Sequence, residues 1–453
     1  MEQLRFREKL GYGLGDTASN FFFATFNVFL LYYYTDIFGL SAAAVGTMFL
    51  LTKILDAVSD PIMGLIADRT NSRWGKFRPY LLWAAVPYGL CGYAMFANPD
   101  LSYAGKLIYA YVTYSLMMLA YTAINVPYSA LMGVISPSSI ERTKVASYRF
   151  FCAFAAGWLV GTFVTPLKNI LGGGNEALGF QLTMAIFAVV SVALFWITFA
   201  TTKERVVPTP MKSDLKLDFK ALLANGPWRA LFATGIFTLI NIAVRNGTLL
   251  YYFKYYVGDD GTRIFLIFDK TAVFLSLGLL AMMVGVLLTK TLSQRFEKRQ
   301  LMIVLSLLNA LSMAAFYFTP PNYYWLMVAI NCAGMLAAGP TPALVWSMYA
   351  DCADYGEWKS GRRTTALVFS TVQFSHKMGL AVGAGLAGII LSWFGFVANE
   401  TQTATSMGGI RFMFSVFPAA FALMGIVAIY FYRIDRNMIR EIERDLSVRH
   451  STT

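Results

Sequence analysis

The sequence predicts an all-α membrane protein with twelve transmembrane helices in two six-helix halves, and three observations support this fold class. Of the 453 residues, 57% are hydrophobic and only 14% are charged, whereas a soluble domain averages about 25% charged residues. The hydrophobic residues fall in blocks of about 20 or more, the length that an α-helix needs to cross a hydrocarbon core of about 30 Å. A polar stretch near the middle of the chain divides these blocks into six and six.

Each block is long enough to cross the membrane once as a helix. The polar stretch 201–227, which contains Pro208 and Pro210, is predicted to be a cytoplasmic linker between an N-terminal half, 1–200, and a C-terminal half, 228–434. The predicted spans are 10–35, 42–67, 78–97, 105–135, 143–169, 178–200, 228–256, 271–292, 300–318, 322–349, 364–394 and 410–433.

Basic residues predict the orientation. Lys and Arg cluster in the loops after spans 2, 4, 6, 8 and 10, and the opposite loops contain few of them. By the positive-inside rule the basic loops are cytoplasmic, so both termini, including a tail at 435–453, are predicted to be cytoplasmic. Residues 218–225 in the linker are predicted to form a short amphipathic helix at the membrane surface. A basic turn follows the second span of each half, at 64–76 and 292–299, and matching halves of this kind are typical of the major facilitator architecture.

The composition disfavours several other classes of protein. The net charge of +12 would suggest nucleic-acid binding in a soluble protein, but here most basic residues fall in short loops and indicate topology. The four cysteines have unrelated spacings, which predicts neither a disulfide framework nor a metal motif. With two histidines and no evident nucleophile–base pair, we expect neither an enzyme nor a cofactor. Nothing suggests the rings of like residues that a channel needs.

The second span contains charges that a membrane helix rarely tolerates. Lys53, Asp56 and Asp60 are spaced three and four residues apart, so they share one helix face. Each charge at the centre of a membrane costs roughly 3 kcal/mol on insertion scales. Two carboxylates one turn apart repel each other when both are ionised, so either a cation lies between them or one is protonated. Both arrangements predict ion coupling, whereas a structural cluster neutralised by Lys53 would leave one carboxylate uncompensated.

Polar residues also recur in spans 1, 4, 5, 7 and 11, and these spans can surround one central cavity suited to a hydroxyl-rich ligand. Simpler roles exist for single residues, because a membrane Asn often makes an interhelical hydrogen bond and Trp346 lies near a span end, where it can be an interface anchor. The candidate substrate-binding residues are Asp16, Asn20, Tyr121, Asn125, Tyr128, Arg149, Arg245, Trp346, Gln373 and Lys377.

Several motifs resemble those of one transporter family. D-A-V-S-D-P-I-M-G at 56–64 runs into T-N-S-R-W-G-K-F-R-P at 70–79, and this pair is similar to the second-span motif of the glycoside–pentoside–hexuronide:cation symporters, the melibiose permease-like family. The match extends along the chain and includes Y-Y-Y-T-D at 32–36, N-V-P-Y at 125–128, Y-R-F-F at 148–151 and A-D-Y-G-E-W at 353–358. The resemblance implies a major facilitator fold and sugar uptake driven by a cation gradient.

The resemblance also implies roles for individual residues. The two aspartates that hold the coupling ion in the family correspond to Asp56 and Asp60, with Ser59 and Thr122 as neighbouring oxygen donors. No other metal site is expected. The family's span-5 arginine and span-11 lysine, both near the cavity, correspond to Arg149 and Lys377.

The chain departs from the melibiose-type pattern in positions for which the resemblance implies sugar contacts. Asn20 and Asn125 replace two sugar-binding aspartates, and Ser129 replaces a tryptophan. Ser59 replaces an asparagine beside the cation site, which slightly favours H⁺ over Na⁺ without deciding between them. The sequence is therefore closer to the xyloside and glucuronide branches of the family.

We therefore expect a secondary active symporter that imports a xyloside, glucoside or hexuronide, possibly an oligosaccharide, with H⁺ or Na⁺ by alternating access. The loss of two carboxylates leaves the cavity more positive, so one hypothesis is that a hexuronide carboxylate pairs with Arg149, Arg245 or Lys377. The expected setting is the bacterial cytoplasmic (inner) membrane, with a sugar and membrane lipid as partners, no nucleic acid, and a monomeric state. A carrier of lysolipids or other amphiphiles on the same fold is the alternative. The predicted cytoplasmic gate comprises Arg73, Arg142, Asp351, Asp354 and Glu357.

Overall fold

Helices make up almost all of the computed structural model, which describes residues 4–136, 139–205, 215–361 and 365–452. Within those residues, nine helical stretches are long and apolar enough to cross a membrane. This agrees with the all-α membrane class predicted from composition and hydropathy.

The first of two compact units comprises Met1–Pro210, Asp259–Ser276 and Gly388–Thr403. Its first helix continues into two π-helical turns, Phe26–Leu30 and Tyr33–Ile37. The helices of this unit are α1 (Phe6–Thr25), α2 (Ala42–Arg69), α3 (Arg78–Trp83), α4 (Ala85–Ala94), α5 (Tyr103–Val134), α6 (Ser139–Gly172) and α7 (Glu176–Thr201).

The second unit comprises Met211–Gly258, Leu277–Ala387 and Ala404–Thr453. Two of the helices below, α10 and α14, each have one end in the first unit. The remaining helices are α8 (Leu215–Ala224), α9 (Gly226–Tyr251, continued by a π-helical turn, Tyr252–Val257), α10 (Lys270–Arg295), α11 (Lys298–Phe318), α12 (Tyr324–Ala338), α13 (Thr341–Ser360), α14 (Thr365–Trp393), α15 (Ala404–Phe414), α16 (Val416–Tyr430) and α17 (Arg436–Thr452).

Each predicted span overlaps one to three consecutive helical segments. The breaks within spans do not occur at the prolines of α2 and α5, since both helices continue through Pro61 and Pro127. Instead, the tenth span divides at Gly339 and Pro340. Pro340 has no N–H with which to continue the hydrogen-bond ladder of α12. The predicted surface helix at 218–225 corresponds to α8, and part of the linker, 206–214, lies outside the described residues.

Small residues bring α1 close to its neighbours. A Cβ atom on Gly13 would lie 2.8 Å from the Cys152 sulfur of α6, and one on Gly15 would lie 2.6 Å from the Tyr128 ring of α5. Glycine allows membrane helices to approach more closely than side chains would permit. The N-terminal part of α1 therefore lies against the helices that contribute several of the candidate site residues.

A similar close approach in the second unit provides a stability test. A Cβ on Gly285 of α10 would lie 2.2 Å from the carbonyl oxygen of Leu336 in α12, whereas a Cβ on Gly408 of α15 would meet nothing within 4 Å. We expect Gly285→Ala to lower the free energy of unfolding by about 1–3 kcal/mol through overpacking. Gly408→Ala is the matched control and should be neutral or stabilising by up to about 1 kcal/mol. Thermal unfolding in detergent would measure both, and equal midpoints for the two variants would contradict the close helix packing.

The loop between α9 and α10 packs within the first unit, although it follows the first helix of the second half in sequence. Residues Asp259–Ser276 belong to that unit. The Asn169 side-chain amide donates to Asp269 Oδ2 at 3.4 Å, and Trp158 Nε1 donates to Ser276 Oγ at 3.2 Å. Both donors lie on α6, so the end of this loop and the first turns of α10 are held against the C-terminal half of that helix.

Asp269 makes the stability of this loop dependent on pH. Burial raises the pKa of Asp269 to about 6, with a further contribution from the charge of Asp259. An unfolded aspartate has a pKa of about 3.9. The stabilising contribution is therefore complete below about pH 4 and is lost as the pH rises through 6. We expect the thermal midpoint of the wild type to fall by a few degrees between pH 4.5 and 7.

Asp269→Asn provides the comparison for this pH dependence. Its side-chain oxygen can still accept the Ala272 N–H, which lies 2.8 Å from Asp269 Oδ1, but it carries no titrating proton. The variant should therefore show a smaller fall in midpoint over the same range. The same fall in the variant as in the wild type would show that other groups control the pH dependence.

Candidate functional site

Two carboxylates of α2 approach one hydroxyl of α5. Asp56 and Asp60 lie on the same face of α2 because they are four residues apart. The Thr122 hydroxyl lies 2.9 Å from Asp60 Oδ1 and 3.3 Å from Asp56 Oδ1. Asp56 and Thr122 are buried, whereas Asp60 is half-buried. Packing of α2 on α5 thus gathers three oxygen-bearing side chains at one point.

The number of protons at this point is informative. The Thr122 hydroxyl carries one proton and can donate it to only one carboxylate at a time. The second carboxylate–hydroxyl contact is favourable when that carboxyl is protonated or when a cation lies between the oxygens. Ser59 adds a hydroxyl 3.4 Å from Thr122 Oγ1. Oxygen ligands of this kind suit a hard cation or a proton.

Residue types that commonly bind metals form no larger cluster in the described part of the chain. No group of three or more His, Cys, Asp or Glu residues that could hold a metal ion occurs among those residues. The predicted neighbour Lys53 has a side chain that lies outside the described residues. The hydrogen-bond distances bring the four predicted cation-site residues together, namely Asp56, Ser59, Asp60 and Thr122. Their role in cation binding stays a prediction.

An ion pair links α1 and α6 in the same unit. Arg149 Nε donates to Asp16 Oδ1 at 3.2 Å, and the Arg149 guanidinium carbon lies 5.3 Å from the centre of the Tyr128 ring. Tyr128 itself is buried, and its hydroxyl donates to the Tyr12 carbonyl at 2.7 Å while the Tyr12 hydroxyl donates back to the Tyr128 carbonyl at 2.9 Å. The two rings stack with centres 4.6 Å apart. The Tyr128 ring therefore contacts the Arg149 guanidinium, and the Tyr128 hydroxyl proton is donated to the Tyr12 carbonyl.

The remaining predicted residues of the first unit make local contacts. Asn20 donates to the Asp16 carbonyl at 2.8 Å, and Asn125 donates to the Tyr121 carbonyl at 3.1 Å. The Asn125 Oδ1 atom accepts from Ser19 Oγ at 2.7 Å, which ties α1 to α5. These amides keep part of their surface exposed, so they can offer further hydrogen bonds to a ligand.

Sequence reasoning missed two residues of this cluster. Tyr12 precedes Asp16 by four residues and therefore shares its helix face, a spacing that identifies it once Asp16 is chosen. Ser19 directly precedes Asn20, but its contact with Asn125 lies across two helices that are 106 residues apart in sequence. No local pattern indicates such a pairing.

Arg245 in the second unit lies among aromatic rings. Its guanidinium carbon lies 5.0 Å from the ring centres of Phe316 and of Phe414, and its Nη2 donates to Asn331 Oδ1 at 3.0 Å. Cation–π contacts of this kind stabilise a positive charge that is partly removed from water. Arg245 thus has three partners in its own unit, Phe316, Phe414 and Asn331. Its contact with a sugar stays a prediction.

The other candidate residues of the second unit are placed as follows. The Trp346 ring meets the His376 ring edge-on, with centres 6.3 Å apart. Lys377 is half-buried on α14. The Gln373 side chain lies outside the described residues.

Three of the predicted gate residues, Arg73, Arg142 and Asp351, contact residues of their own unit. Asp351 receives Lys298 Nζ at 2.7 Å and the Tyr432 hydroxyl at 3.2 Å. Arg142 donates to the Ser136 carbonyl at 3.0 Å. Arg73 is exposed and lies over the ring of the adjacent Trp74. Asp354 and Glu357 are half-buried on α13. Their gating role stays a prediction.

Two glutamates that the sequence did not indicate organise the basic loops. Glu204 accepts the backbone N–H groups of Lys76, Phe77 and Arg78 at 2.8–3.0 Å, which fixes the turn after α2. Hydrogen bonds from Lys144 and then Lys9 hold the pKa of Glu141 down at about 2. The positively charged loops of this unit are therefore pinned by carboxylates.

Comparisons with known proteins agree with the arrangement of helices. A family model described as MFS/sugar transport protein matches residues 11–436. The chain is 38% identical over 452 residues to the putative glycoside/cation symporter YagG of Escherichia coli (strain K12), covering 98% of this chain and 96% of that one. It is 32% identical over 445 residues to the isoprimeverose transporter of Lactiplantibacillus pentosus, covering 96% and 91%. A crystal structure of a D-xylose-proton symporter has a TM-score of 0.62 at 15% identity, covering 94% of this chain and 97% of that one, a likeness of fold alone.

Proposed function

Because the chain belongs to the MFS/sugar transport protein family, we propose that it is a cation-coupled symporter that imports a glycoside. It is a multi-pass membrane transporter rather than an enzyme. The proposal extends to a bacterial inner membrane, to cytoplasmic termini, and to a monomer as the working unit. The basic residues of the predicted cytoplasmic loops support that orientation.

The contact of Asp56 and Asp60 with Thr122 carries the proposal of ion coupling. Carboxylates in a membrane helix are costly and are usually retained for function. With both ionised and no cation present, the two side chains repel each other. A bound H⁺ or Na⁺ relieves that repulsion, and a site neutralised in this way favours the substrate. By linkage, the substrate then favours the cation to the same extent.

The substrate class is proposed from the relatives and from the polar groups of the first unit. Two relatives carry names that refer to a glycoside and to isoprimeverose. Asn20, Asn125 and the Asp16–Arg149 pair supply both donors and acceptors, which a sugar with several hydroxyl groups can satisfy at once. Sugar contacts from Arg245, Trp346, Gln373 and Lys377 remain predictions.

The ion pair favours a neutral glycoside over a hexuronide. Arg149 is bound to the buried carboxylate of Asp16, so a substrate carboxylate would have to displace a partner that is already in place. Arg245 has an amide and two aromatic rings around it. We therefore propose a xyloside or glucoside as the substrate, and competition between a glucuronide and its neutral glucoside analogue would test this choice. Stronger competition by the glucuronide would contradict it.

External pH in lightly buffered, de-energised cells that make this protein provides the functional test. We would add xylosides, glucosides, galactosides and glucuronides in turn, with and without Na⁺. The cells make the wild-type protein, the Asp60→Asn variant, or no transporter as a control. Alkalinisation by one sugar in the wild type alone would establish proton symport and the substrate class. No alkalinisation combined with Na⁺-stimulated uptake of labelled sugar would assign Na⁺. Absence of both responses would contradict sugar symport and favour an amphiphile carrier.

A further inference from the structure

The loop between α9 and α10 contains a turn of four consecutive apolar residues with exposed side chains. Ile264, Phe265, Leu266 and Ile267, here called the tip, are 38%, 62%, 75% and 39% exposed. Isolated exposed apolar residues are common on any protein, but a contiguous apolar patch usually marks a site of interaction. The tip is therefore expected to contact lipid or another protein.

The tip is a defined turn rather than a loose segment. The Ile264 N–H donates to the Phe268 carbonyl at 2.9 Å, and the Phe268 N–H donates to the Phe265 carbonyl at 2.9 Å. Leu266 has a φ of 55°, a left-handed conformation that costs a non-glycine residue roughly 1–2 kcal/mol. The hydrogen bonds hold the turn closed, so the apolar side chains are presented outward by the backbone itself.

The contact of the loop with α6 indicates its level relative to the membrane. The Phe268 ring lies edge-on against the Phe163 ring of α6, with centres 5.9 Å apart. Phe163 precedes Gly172, the last residue of α6, by about 13 Å along the helix at 1.5 Å per residue. The fifth predicted span ends at residue 169, so Phe163 lies about 9 Å before the end of that span. Asn169, whose amide donates to Asp269 Oδ2 at 3.4 Å, lies at the end itself, which brings this part of the loop to the boundary between hydrocarbon and headgroups.

The chemistry of the loop fits the membrane interface better than the hydrocarbon centre. The hydrogen bonds above satisfy part of the turn's backbone, whereas full burial in lipid would require partners for every group. Arg263 directly precedes the tip and Lys270 begins α10 just after it. Basic residues beside Phe, Leu and Ile side chains are typical of segments that lie in the interface, with the cations among phosphates and the apolar groups among acyl chains.

We propose that the tip inserts into the lipid leaflet at the end of α6 where Gly172 lies, and that it anchors this loop to the membrane. Lipid fits better than a second protein, because a narrow turn of four residues offers no extended face for docking. The inference is independent of the transported substrate and of the coupling ion. It predicts that the side chain of Leu266 is in contact with acyl chains in the membrane-embedded protein.

The test uses a nitroxide label on Leu266→Cys in the full-length protein, with the four native cysteines replaced by alanine. The protein is reconstituted in vesicles of phosphatidylcholine and phosphatidylglycerol. The accessibility of the label is measured to oxygen, which partitions into lipid, and to a water-soluble nickel chelate. Val189→Cys, 71% exposed in the middle of α7, is the lipid control, and Glu400→Cys in an exposed loop is the water control.

We expect the ratio of oxygen to nickel accessibility at Leu266 to exceed that at Glu400 by at least threefold and to approach that at Val189. A ratio equal to that at Glu400 would overturn the proposal, because the tip would then lie in water. Low accessibility to both reagents would also overturn it, since that pattern indicates a protein partner. Ile267→Cys serves as a second labelled position if Leu266→Cys does not fold.

Discussion

Asp60→Asn is expected to abolish the coupling between cation and substrate. When two sites are coupled, binding at one typically changes affinity at the other by about 5- to 150-fold. In this variant the cation should leave substrate affinity unchanged. The amide oxygen can still accept a hydrogen bond from Thr122, now 2.9 Å from Asp60 Oδ1, so the helix contact persists. An amide can neither take up a proton near neutral pH nor supply a negative charge to Na⁺. Substrate binding with and without Na⁺, at several pH values, measures the effect.

Matched variants separate loss of the ion site from general damage. Asp100→Asn removes an exposed carboxylate in another loop of the same unit and should retain the full cation dependence. Thr122→Ser keeps the hydroxyl between Asp56 and Asp60 and should remain coupled, whereas Thr122→Val removes it and should weaken coupling. If Asp60→Asn remained as cation-dependent as the wild type, the coupling ion would have to bind elsewhere.

Breaking the Asp16–Arg149 pair is expected to have the second large effect. Removing one partner of a buried ion pair costs about 3–5 kcal/mol because the other charge is left uncompensated. The Arg149 side chain is 26% exposed and that of Asp16 is 11% exposed, so water reduces this cost, and we expect about 2 kcal/mol for Asp16→Asn or Arg149→Gln. Thermal unfolding in detergent measures the stability, and substrate uptake should be lost in both variants.

The double variant Asp16→Asn/Arg149→Gln distinguishes a structural ion pair from a substrate contact. With both charges removed, the stability should be higher than in either single variant, because no buried charge remains alone. Uptake should remain lost if these side chains also contact the sugar. Recovery of uptake together with stability would show that the pair only supports the fold, and would remove both residues from the proposed site.

The helices were predictable because lipid imposes a simple rule on sequence. A membrane helix must satisfy its backbone internally and present apolar side chains over about 20 residues, so each span is visible as a hydrophobic block. The positions of breaks were less predictable. Pro61 and Pro127 disrupt only one hydrogen bond each, and α2 and α5 continue through them. Neighbouring helices can restore the freed backbone groups.

The candidate site was predictable where its residues share one helix. The spacing of Asp56 and Asp60 fixes their common face, and the same rule extends from Asp16 to Tyr12. Contacts between helices depended on resemblance or were missed. Thr122 entered through the family likeness, and the pairing of Ser19 with Asn125 joins residues 106 positions apart. The packing of such distant segments depends on the whole fold rather than on any local pattern.

The membership of the first unit has a consequence for biosynthesis. That unit includes Asp259–Ser276 and Gly388–Thr403 in addition to Met1–Pro210. A ribosome that has just completed residue 210 must therefore add about 190 more residues before all parts of the unit exist, which takes about 10–40 s at about 5–20 residues per second. For the first part of that interval, until about 66 of these residues have been added, Asn169 and Trp158 lack Asp269 and Ser276, their partners in the finished protein. Folding of the first unit consequently cannot be completed until nearly the whole chain has been translated.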